Sequence, residues 1–226
     1  MRNEFFKMLK SDMHIHTKED PKDPYIKYTA KDLITFASKK GFEVLSITLH
    51  DHVLNKKHIF DFARQKGILL IPGVEAQIEG KHVLIYNTTN EEITKIKNLI
   101  DLEKIKDHAV IAAPHPFYYL GRCLGSKLIE NIKLFDAIEY NHYYWRFLNP
   151  NRKAVEVAKK FGLPLIGNSD LHMIYQMNNT FSNIDSEKTK DDVLEAIRKG
   201  NLRVQTKPPS FFDFVKTTAF ILNPLC

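Results

Sequence analysis

A local pattern of an amphipathic helix, a glycine and a short apolar strand recurs along this chain and limits the folds open to it. The four clearest glycines, Gly41, Gly67, Gly162 and Gly200, each follow a helical segment and precede a short apolar run. A glycine just past a helix adopts the left-handed conformation that ends the helix, so a strand can begin at once. Strands that alternate with helices in this way predict a parallel sheet and an α/β fold.

The apolar runs indicate about seven strands. Most runs are short and without alternation, which is typical of strands buried on both faces. Helix starts are marked by Thr29 with Asp32 and by Thr189 with Asp192, which resemble capping boxes, and by Asn90 as a candidate N-cap. The strand candidates are Asp12–His16, Val44–Ile47, Ile68–Ile71, Val83–Tyr86, Val110–Ala112, Ala137–Tyr140, Leu163–Ile166 and Leu202–Val204.

Polar residues that could bind a metal or take part in catalysis follow nearly every one of these strands. An open doubly wound sheet would bring such residues to one switch point, whereas a barrel brings every strand end to one mouth. The pattern therefore favours a TIM-like barrel, with an open sheet as the alternative. No linker divides the chain, so we expect a single domain over 1–226, with a barrel core at about 11–205 and a C-terminal docking segment at 206–226, whose aromatic residues lie between Phe211 and Leu222.

The composition restricts the compartment and the partners. The two cysteines, Cys123 and Cys226, follow no disulfide spacing, which predicts a reducing compartment, the cytoplasm. No apolar run approaches the roughly 18 residues that span a bilayer, so we expect no membrane partner, and no obligate protein partner is evident. The net charge of +6 favours an anionic partner, although lysines scattered over exposed helix faces would give the same charge.

Histidines and carboxylates lie at the expected carboxyl ends of the strands. In a strand, Asp12, His14 and His16 share one face, and two imidazoles on a rigid strand can bind one metal ion. This motif alone is weak, because a lone histidine is usually a hydrogen-bonded core residue. Imidazole with carboxylate suits zinc, manganese or iron. Several residues at other strand ends or in the first loop make a metal centre the better interpretation: Asp20, His50, Glu75, His82, His115, Asp170 and His172.

The order of these motifs resembles that of the PHP (polymerase and histidinol phosphatase) family from about Asp12 to Val204. The matching motifs are His14-x-His16, Ile47-Thr48-x-His50, Gly73-Val74-Glu75, His82, Pro114-His115-Pro116 and Ser169-Asp170-x-His172. The resemblance implies a distorted (β/α)7 TIM-like barrel that hydrolyses phosphoesters with two or three divalent metal ions (Zn, Mn or Fe). The metal ligands implied by the resemblance are His14, His16, Asp20, His50, Glu75, His82, His115, Asp170 and His172.

Two positions depart from the family pattern. Leu49 stands where the family has an acidic residue in its Thr-Asp-His motif, and either Asp20 or Asp23 could serve as the early acidic ligand. We expect Glu75 to bridge the ions, because a carboxylate has two oxygens to share between them. Metal ions roughly 3.5–4 Å apart can activate a hydroxide for in-line attack on phosphorus and clamp the phosphoryl oxygens. The residues expected to carry the chemistry are Glu75, Asp170 and His115.

Two aromatic loops are predicted to rim the mouth. One, at 117–122, follows His115, and the other, at 142–146, follows the strand Ala137–Tyr140. Aromatic rings can stack on a base and arginines can grip a phosphate, which favours a nucleotide or oligonucleotide end among phosphorylated substrates. The alternative is a hydrophobic lid in which the same side chains pack on each other. The candidate substrate-binding residues are Tyr118, Arg122, Trp145 and Arg146.

Two other functions agree with parts of the sequence. A catalytically silent barrel could act as an RNA-binding or assembly subunit, but such a protein would be expected to lose ligands, and nearly the full set is present. A metal-dependent amidohydrolase also uses His-x-His and a late Asp, but it usually adds a bridging lysine, and none is evident at a strand end. Of the other histidines, His52, His58 and His108 are expected at the surface, and His142 is left undecided.

Overall fold

The computed structural model describes residues 8–145 and 147–221, except the side chains at 220 and 221, and these residues form ten strands and seven α-helices. The strands are β1 (Met8–Asp12), β2 (Val44–Leu45), β3 (Leu69–Leu70), β4 (Gly73–Ile78), β5 (Lys81–Tyr86), β6 (Val110–Ala113), β7 (Ala137–Asn141), β8 (Leu165–Asn168), β9 (Thr180–Asp185) and β10 (Leu202–Thr206). The α-helices are α1 (Ala30–Lys39), α2 (Lys57–Gln65), α3 (Asn90–Lys95), α4 (Ser126–Glu130), α5 (Asn151–Phe161), α6 (Lys190–Lys199) and α7 (Phe211–Ile221). Short 3-10 helices span Leu99–Ile105, Ile132–Leu134 and Ile174–Gln176.

The described strands form two five-stranded sheets, in the orders β10-β9-β1-β2-β3 and β4-β5-β6-β7-β8. β1 to β3 are parallel to one another, and so are β6 to β8, as the helix–strand alternation predicted. The prediction of about seven strands, all parallel, was wrong, because β9 and β10 pair antiparallel with the first sheet and β4 to β6 form an antiparallel meander. The α/β class is confirmed.

Closure of the two sheets into one barrel is not seen among the described strands. Two isolated parallel bridges join the sheets, one between His50 and Glu75 and one between Ile15 and Leu171, and no ladder among the described strands completes a barrel. The distorted (β/α)7 TIM-like barrel therefore stays a prediction, as do the single domain over 1–226 and its limits.

One hydrophobic cluster holds the two sheets together. It contains Leu9 and Val44 from the first sheet, Leu84 and Val110 from the second, and Val193 from α6, all fully buried. Two further clusters pack α1 and α2 against the first sheet and α4 and α5 against the second. Because the sheets share a core, their carboxyl strand ends can meet on one side of the molecule.

Local sequence signals set most helix ends. All four helix-ending glycines adopt a left-handed backbone, with φ of 70–76°. Thr29 and Asp32 form the predicted capping box at the start of α1. At the start of α6, the Thr189 side chain accepts a hydrogen bond from the backbone N–H of Asp192. The prediction of Asn90 as an N-cap was wrong. Thr89 caps α3, because the Asn90 side chain instead hydrogen bonds the backbone of Val53.

Helix α7 packs on the loop that follows β7. The Phe214 ring stacks on Tyr143, with ring centroids 5.1 Å apart, and lies 5.4 Å from Trp145. The Thr218 hydroxyl lies 2.8 Å from the Tyr143 hydroxyl. Among the described residues, no helix is long and apolar enough to span a bilayer.

Candidate metal centre

The chain after β1 carries two histidines to the edge where the sheets meet. β1 ends at Asp12, two residues earlier than His14, and His14 and His16 continue in an extended segment. Ile15 forms a parallel bridge with Leu171, and the His16 amide donates a hydrogen bond to Leu171 O at 3.0 Å. Because Ile15 points into the apolar core, the two flanking imidazoles point to the opposite side.

The carboxylate of Glu75 lies at the centre of the site and is 1% exposed. Its Oε2 atom lies 3.3, 3.2 and 3.1 Å from the Nε2 atoms of three histidines. The bridge between His50 and Glu75 sets one of these contacts, since it aligns the two backbones side by side. The three histidines around Oε2 are His14, His16 and His50.

The second oxygen of Glu75 faces a different pair of histidines. Its Oε1 atom lies 2.6 Å from His82 Nδ1 and 3.1 Å from His115 Nε2. We expected Glu75 just after the third strand, but it lies inside β4. β4 pairs with β5, and His82 is the second residue of β5. The meander of β4, β5 and β6 therefore places Glu75, His82 and His115 together.

The first loop adds two carboxylates beside the histidines. Asp20 Oδ2 lies 2.9 Å from His16 Nδ1 and 3.1 Å from His50 Nδ1, and it accepts a hydrogen bond from the His50 amide at 2.9 Å. Asp23 Oδ2 lies 3.1 Å from His50 Nδ1 and 3.3 Å from His172 Nε2. Both aspartates thus reach the site, and the geometry leaves both as candidates for the early acidic ligand.

Asp170 closes the site from the end of β8. Its Oδ1 atom lies 3.4 Å from His14 Nε2 and 3.6 Å from His16 Nε2, and its Oδ2 atom lies 4.0 Å from His115 Nε2. Asp170 and His115 both have a positive φ, of 47° and 28°. Non-glycine residues adopt such a backbone rarely, and in proteins it concentrates at functional sites.

The donor set fits divalent cations. The Nε2 atoms of His14 and His16 are buried and lie near Glu75 Oε2, but they form no well-aligned hydrogen bond with any described residue. Buried nitrogens without such a bond carry a free-energy cost that a bound ion would remove. Nitrogen and carboxylate donors without thiolates suit zinc, manganese and iron. Four overlapping groups have ligand atoms within 4.8 Å of one another: His16–Asp20–Asp23–His50, His14–Glu75–His115, His14–His16–Asp170 and His50–Glu75–His82.

Glu139 supports the centre from behind and was missed by the sequence analysis. Its side chain is fully buried in β7, and Oε1 lies 2.8 Å from His14 Nδ1. Its Oε2 atom accepts hydrogen bonds from the His115 amide and from the Asn141 side chain. A carboxylate that binds the distal nitrogen of a histidine fixes the ring and its tautomer. The only available signal was an acidic residue inside an otherwise apolar strand.

The electrostatics of the centre consist of opposed charges. Burial alone would raise the pKa of the Glu75 carboxyl, but the His82 and His14 imidazoles hold it well below its usual range. Burial alone would lower the pKa of His14, but Asp170 and Glu139 hold it well above the usual value. The same competition raises the pKa of His50 to about 12 through Asp20 and Asp23. Divalent cations could replace the positive charge of these imidazolium groups.

A cavity of about 350 Å³ opens beside the centre. Tyr118 and Arg122 line it, as predicted for the first rim loop, and the Tyr118 hydroxyl donates a hydrogen bond to Tyr143 O at 2.7 Å. Trp145 does not line this cavity and instead packs on Phe214 and Phe211 of α7. Its position agrees with the hydrophobic lid rather than with base stacking. The fourth predicted substrate-binding residue, Arg146, lies outside the described residues.

The remaining histidines divide between surface and site. His58 is exposed on α2, His108 pairs with Glu92, and His52 is partly buried. His142, which the sequence left undecided, is 3% exposed and lines the cavity. Cys123 is also buried there, with its Sγ atom 3.4 Å from His115 Nδ1.

Comparison with sequence families supports the resemblance seen in the motifs. A model of the PHP-associated family matches residues 149–202, which cover α5, β8, β9 and α6. An uncharacterized protein of Methanocaldococcus jannaschii is 29% identical over 199 residues, which are 81% of this chain and 75% of that protein. The similarity therefore extends over most of the chain and not only over the ligand motifs.

Solved structures share the fold. A two-domain protein from Bacteroides vulgatus, described as containing a "predicted PHP-like metal-dependent phosphoesterase", superposes with a TM-score of 0.67 at 20% identity, over 90% of this chain and 66% of that chain. The chain thus spans slightly less than two thirds of that protein. A second similar structure is that of a "putative metal-dependent phosphoesterase" from Bifidobacterium adolescentis. It gives a TM-score of 0.55 at 14% identity, over 72% of this chain and 87% of the other.

Proposed function

We propose that this chain, as a protein of the PHP family, is a metal-dependent phosphoesterase that hydrolyses a phosphate ester. One observation carries the proposal. The two oxygens of the Glu75 carboxylate face separate sets of histidines, three around Oε2 and two around Oε1. A carboxylate in such a position can serve two ions at once, and two-ion sites are a common solution for phosphoester hydrolysis.

The proposed ligands are the residues that the family resemblance implies, and several of them lie around Glu75. We expect two or three zinc, manganese or iron ions. When bound, these ions supply Lewis acidity toward phosphoryl oxygens and lower the pKa of water. The proposed ligands are His14, His16, Asp20 (with Asp23 as the alternative), His50, Glu75, His82, His115, Asp170 and His172.

The protein groups at the cavity face of the centre would position the substrate. Asp170 has a side chain that is 22% exposed toward the cavity, and the Asn141 amide holds its Oδ2 atom at 3.2 Å. Arg122 lies at the same cavity and is exposed, so its guanidinium can attract an anionic ester before it reaches the centre. Glu75, Asp170 and His115 are the proposed catalytic residues.

We further propose that the substrate is a nucleotide or an oligonucleotide end. The cavity volume of about 350 Å³ falls within the range of small-molecule sites. Tyr118 and Tyr143 supply aromatic rings in its wall, and the net charge of +6 favours a polyanion. With Trp145 packed on α7, the proposal depends on Tyr118 and Arg122.

Loss of a proposed ligand should abolish hydrolysis and leave the fold intact. We expect Asp170→Asn and His115→Ala to lose activity toward p-nitrophenyl phosphate and to lose bound metal, because stability comes mainly from the apolar strands. Elemental analysis, circular dichroism and turnover should be measured on the same samples. His58→Ala, a substitution on an exposed helix face, is the control. Full turnover in either ligand variant at saturating metal would contradict the assignment.

The substrate class can be tested on the ring of Tyr118. Stacking on a base is worth about 1–3 kcal/mol, so Tyr118→Leu should raise KM for a nucleotide by roughly tenfold and leave KM for glycerol phosphate unchanged. Tyr118→Phe keeps the ring and removes only the hydroxyl that binds Tyr143 O, so it serves as the matched control. Equal effects of Tyr118→Leu on both substrates would reduce the proposal to an unspecified phosphate ester.

A further inference from the structure

His142 is a buried histidine whose ring nitrogens have no hydrogen-bond partner among the described residues. It follows the last residue of β7 and is 3% exposed. Neither Nδ1 nor Nε2 forms a hydrogen bond with any residue in the described part of the chain. A polar group left unpaired in the interior costs about 1–3 kcal/mol. A ligand that enters the adjacent cavity could remove this cost by accepting or donating a hydrogen bond.

His142 lies in the wall of the cavity beside the centre. It lines the same cavity as Arg122, Asp170 and Gln176. The metal-ligand groups formed by the described residues do not include it. His142 is thus a cavity-wall residue that shares no close group of ligand atoms with the centre.

The chemistry of the ring restricts what it can bind. Burial lowers the pKa of His142 to about 4, so the imidazole is neutral near pH 7 and offers one N–H donor and one acceptor nitrogen. Divalent cations nearby would hold it neutral as well. A neutral donor in a buried site is suited to an anionic oxygen, because it adds a hydrogen bond without another charge.

We propose that His142 is a substrate-binding residue that donates a hydrogen bond to a phosphoryl oxygen of the ester, outside the metal ligand set. The inference rests on the proposed phosphoesterase function and deepens it. His142 follows β7 and Arg122 follows β6, and both line one cavity, so the two residues can act on the same bound phosphoryl group.

The inference predicts that affinity and stability change in opposite directions. Replacement of an unpaired buried polar ring by an apolar one removes a desolvation cost. We therefore expect His142→Phe, or His142→Leu if the larger ring disturbs packing, to keep or raise the Tm of the metal-free protein. A histidine with a structural hydrogen bond would lower the Tm on the same substitution.

Binding of inorganic phosphate to the metal-loaded protein is the direct test. A hydrogen bond to a charged group is worth about tenfold to a hundredfold in affinity, so Kd for phosphate, measured by calorimetry, should rise by that factor in His142→Phe and less in His142→Gln, which retains a donor. His58→Phe makes the same change on an exposed helix and should leave Kd unchanged. The metal content should equal that of the wild type.

Two results would overturn the inference. An unchanged phosphate Kd in both apolar variants would show that the ring does not contact the phosphoryl group. Loss of one equivalent of metal in these variants would instead make His142 a ligand. Failure of the proposed function appears separately, as a metal-loaded wild type that binds phosphate but hydrolyses none of the esters tested.

Discussion

At the scale of single residues, Glu139 shows how the protein holds its centre in place. The carboxylate has no access to solvent, and it connects the His14 ring, the His115 backbone and two asparagine side chains. One buried group therefore orients residues from four segments, those that follow β1 and β6 and the strands β7 and β8. Burial alone would raise the pKa of Glu139, but His14 lowers it, so the carboxylate stays ionised and can accept all these hydrogen bonds.

Glu139→Gln should weaken metal binding without unfolding the protein. The amide group of glutamine would present N–H donors to partners that are themselves donors, so the His14 ring would lose its fixed orientation. Changes behind a metal ligand typically cost about 10–100-fold in metal affinity. Equilibrium dialysis with zinc measures the effect, and Glu130→Gln, at an exposed position at the end of α4, is the matched control. Wild-type affinity in Glu139→Gln would show that the contact is not needed.

At the scale of secondary-structure elements, close approach of strands leaves no room for side chains at certain glycines. A Cβ atom on Gly167 in β8 would lie 2.7 Å from Val204 Cγ1 and 2.9 Å from Phe181 O. The second of these atoms belongs to the backbone of β9, which cannot move without breaking its ladder. Gly167 thus permits β8 to pack against β9 and β10 and so to bring Asp170 to the site.

Gly167→Ala should destabilise the fold by about 1–3 kcal/mol, the range typical of overpacking. Urea denaturation monitored by circular dichroism gives the free energy of unfolding. Gly121→Ala is the control, because its Cβ would meet no atom within 4 Å and its φ is not left-handed. If both variants unfold at the same urea concentration, the packing at β8 tolerates a methyl group.

The elements that the sequence predicted correctly are those with local signals. Thr29 and Asp32 lie within one helical turn, and Gly162 ends its helix through its own backbone freedom. β9 was missed because its residues alternate between buried and half-buried and include serine and asparagine, so its existence depends on pairing with β1 and β10. Glu139 was missed for the same reason, because its contact with His14 joins residues that are far apart in sequence.

At the scale of the whole molecule, the candidate metal centre lies across the junction of the two sheets. His14, His16 and His50 follow strands of the first sheet, whereas Glu75 and His115 belong to strands or strand ends of the second. Between β2 and β4 the described backbone contributes only an isolated bridge. Ions bound at the junction would therefore connect two sheets that few backbone hydrogen bonds join.

Metal binding should raise the stability of the entire chain. A ligand that binds only the folded state stabilises it by about 2.7 kcal/mol at a free concentration of about 100 times Kd. We expect removal of metal by a chelator to lower Tm by several degrees and zinc or manganese to restore it, with a single unfolding transition in both states. Differential scanning calorimetry measures this. An unchanged Tm would mean that the centre is rigid without ions.

The bridge between Ile15 and Leu171 joins segments that leave the ribosome far apart in time. The first histidine pair is made early, whereas Asp170 and His172 are made only after β8. Contacts between residues distant in sequence form late in folding, because closing a long loop costs entropy before the contact stabilises it. The nascent chain thus exposes imidazoles long before a complete coordination sphere exists. We therefore expect any ions to bind only after β8 and the segment that follows it have been made, so that the folded sheets determine the coordination geometry.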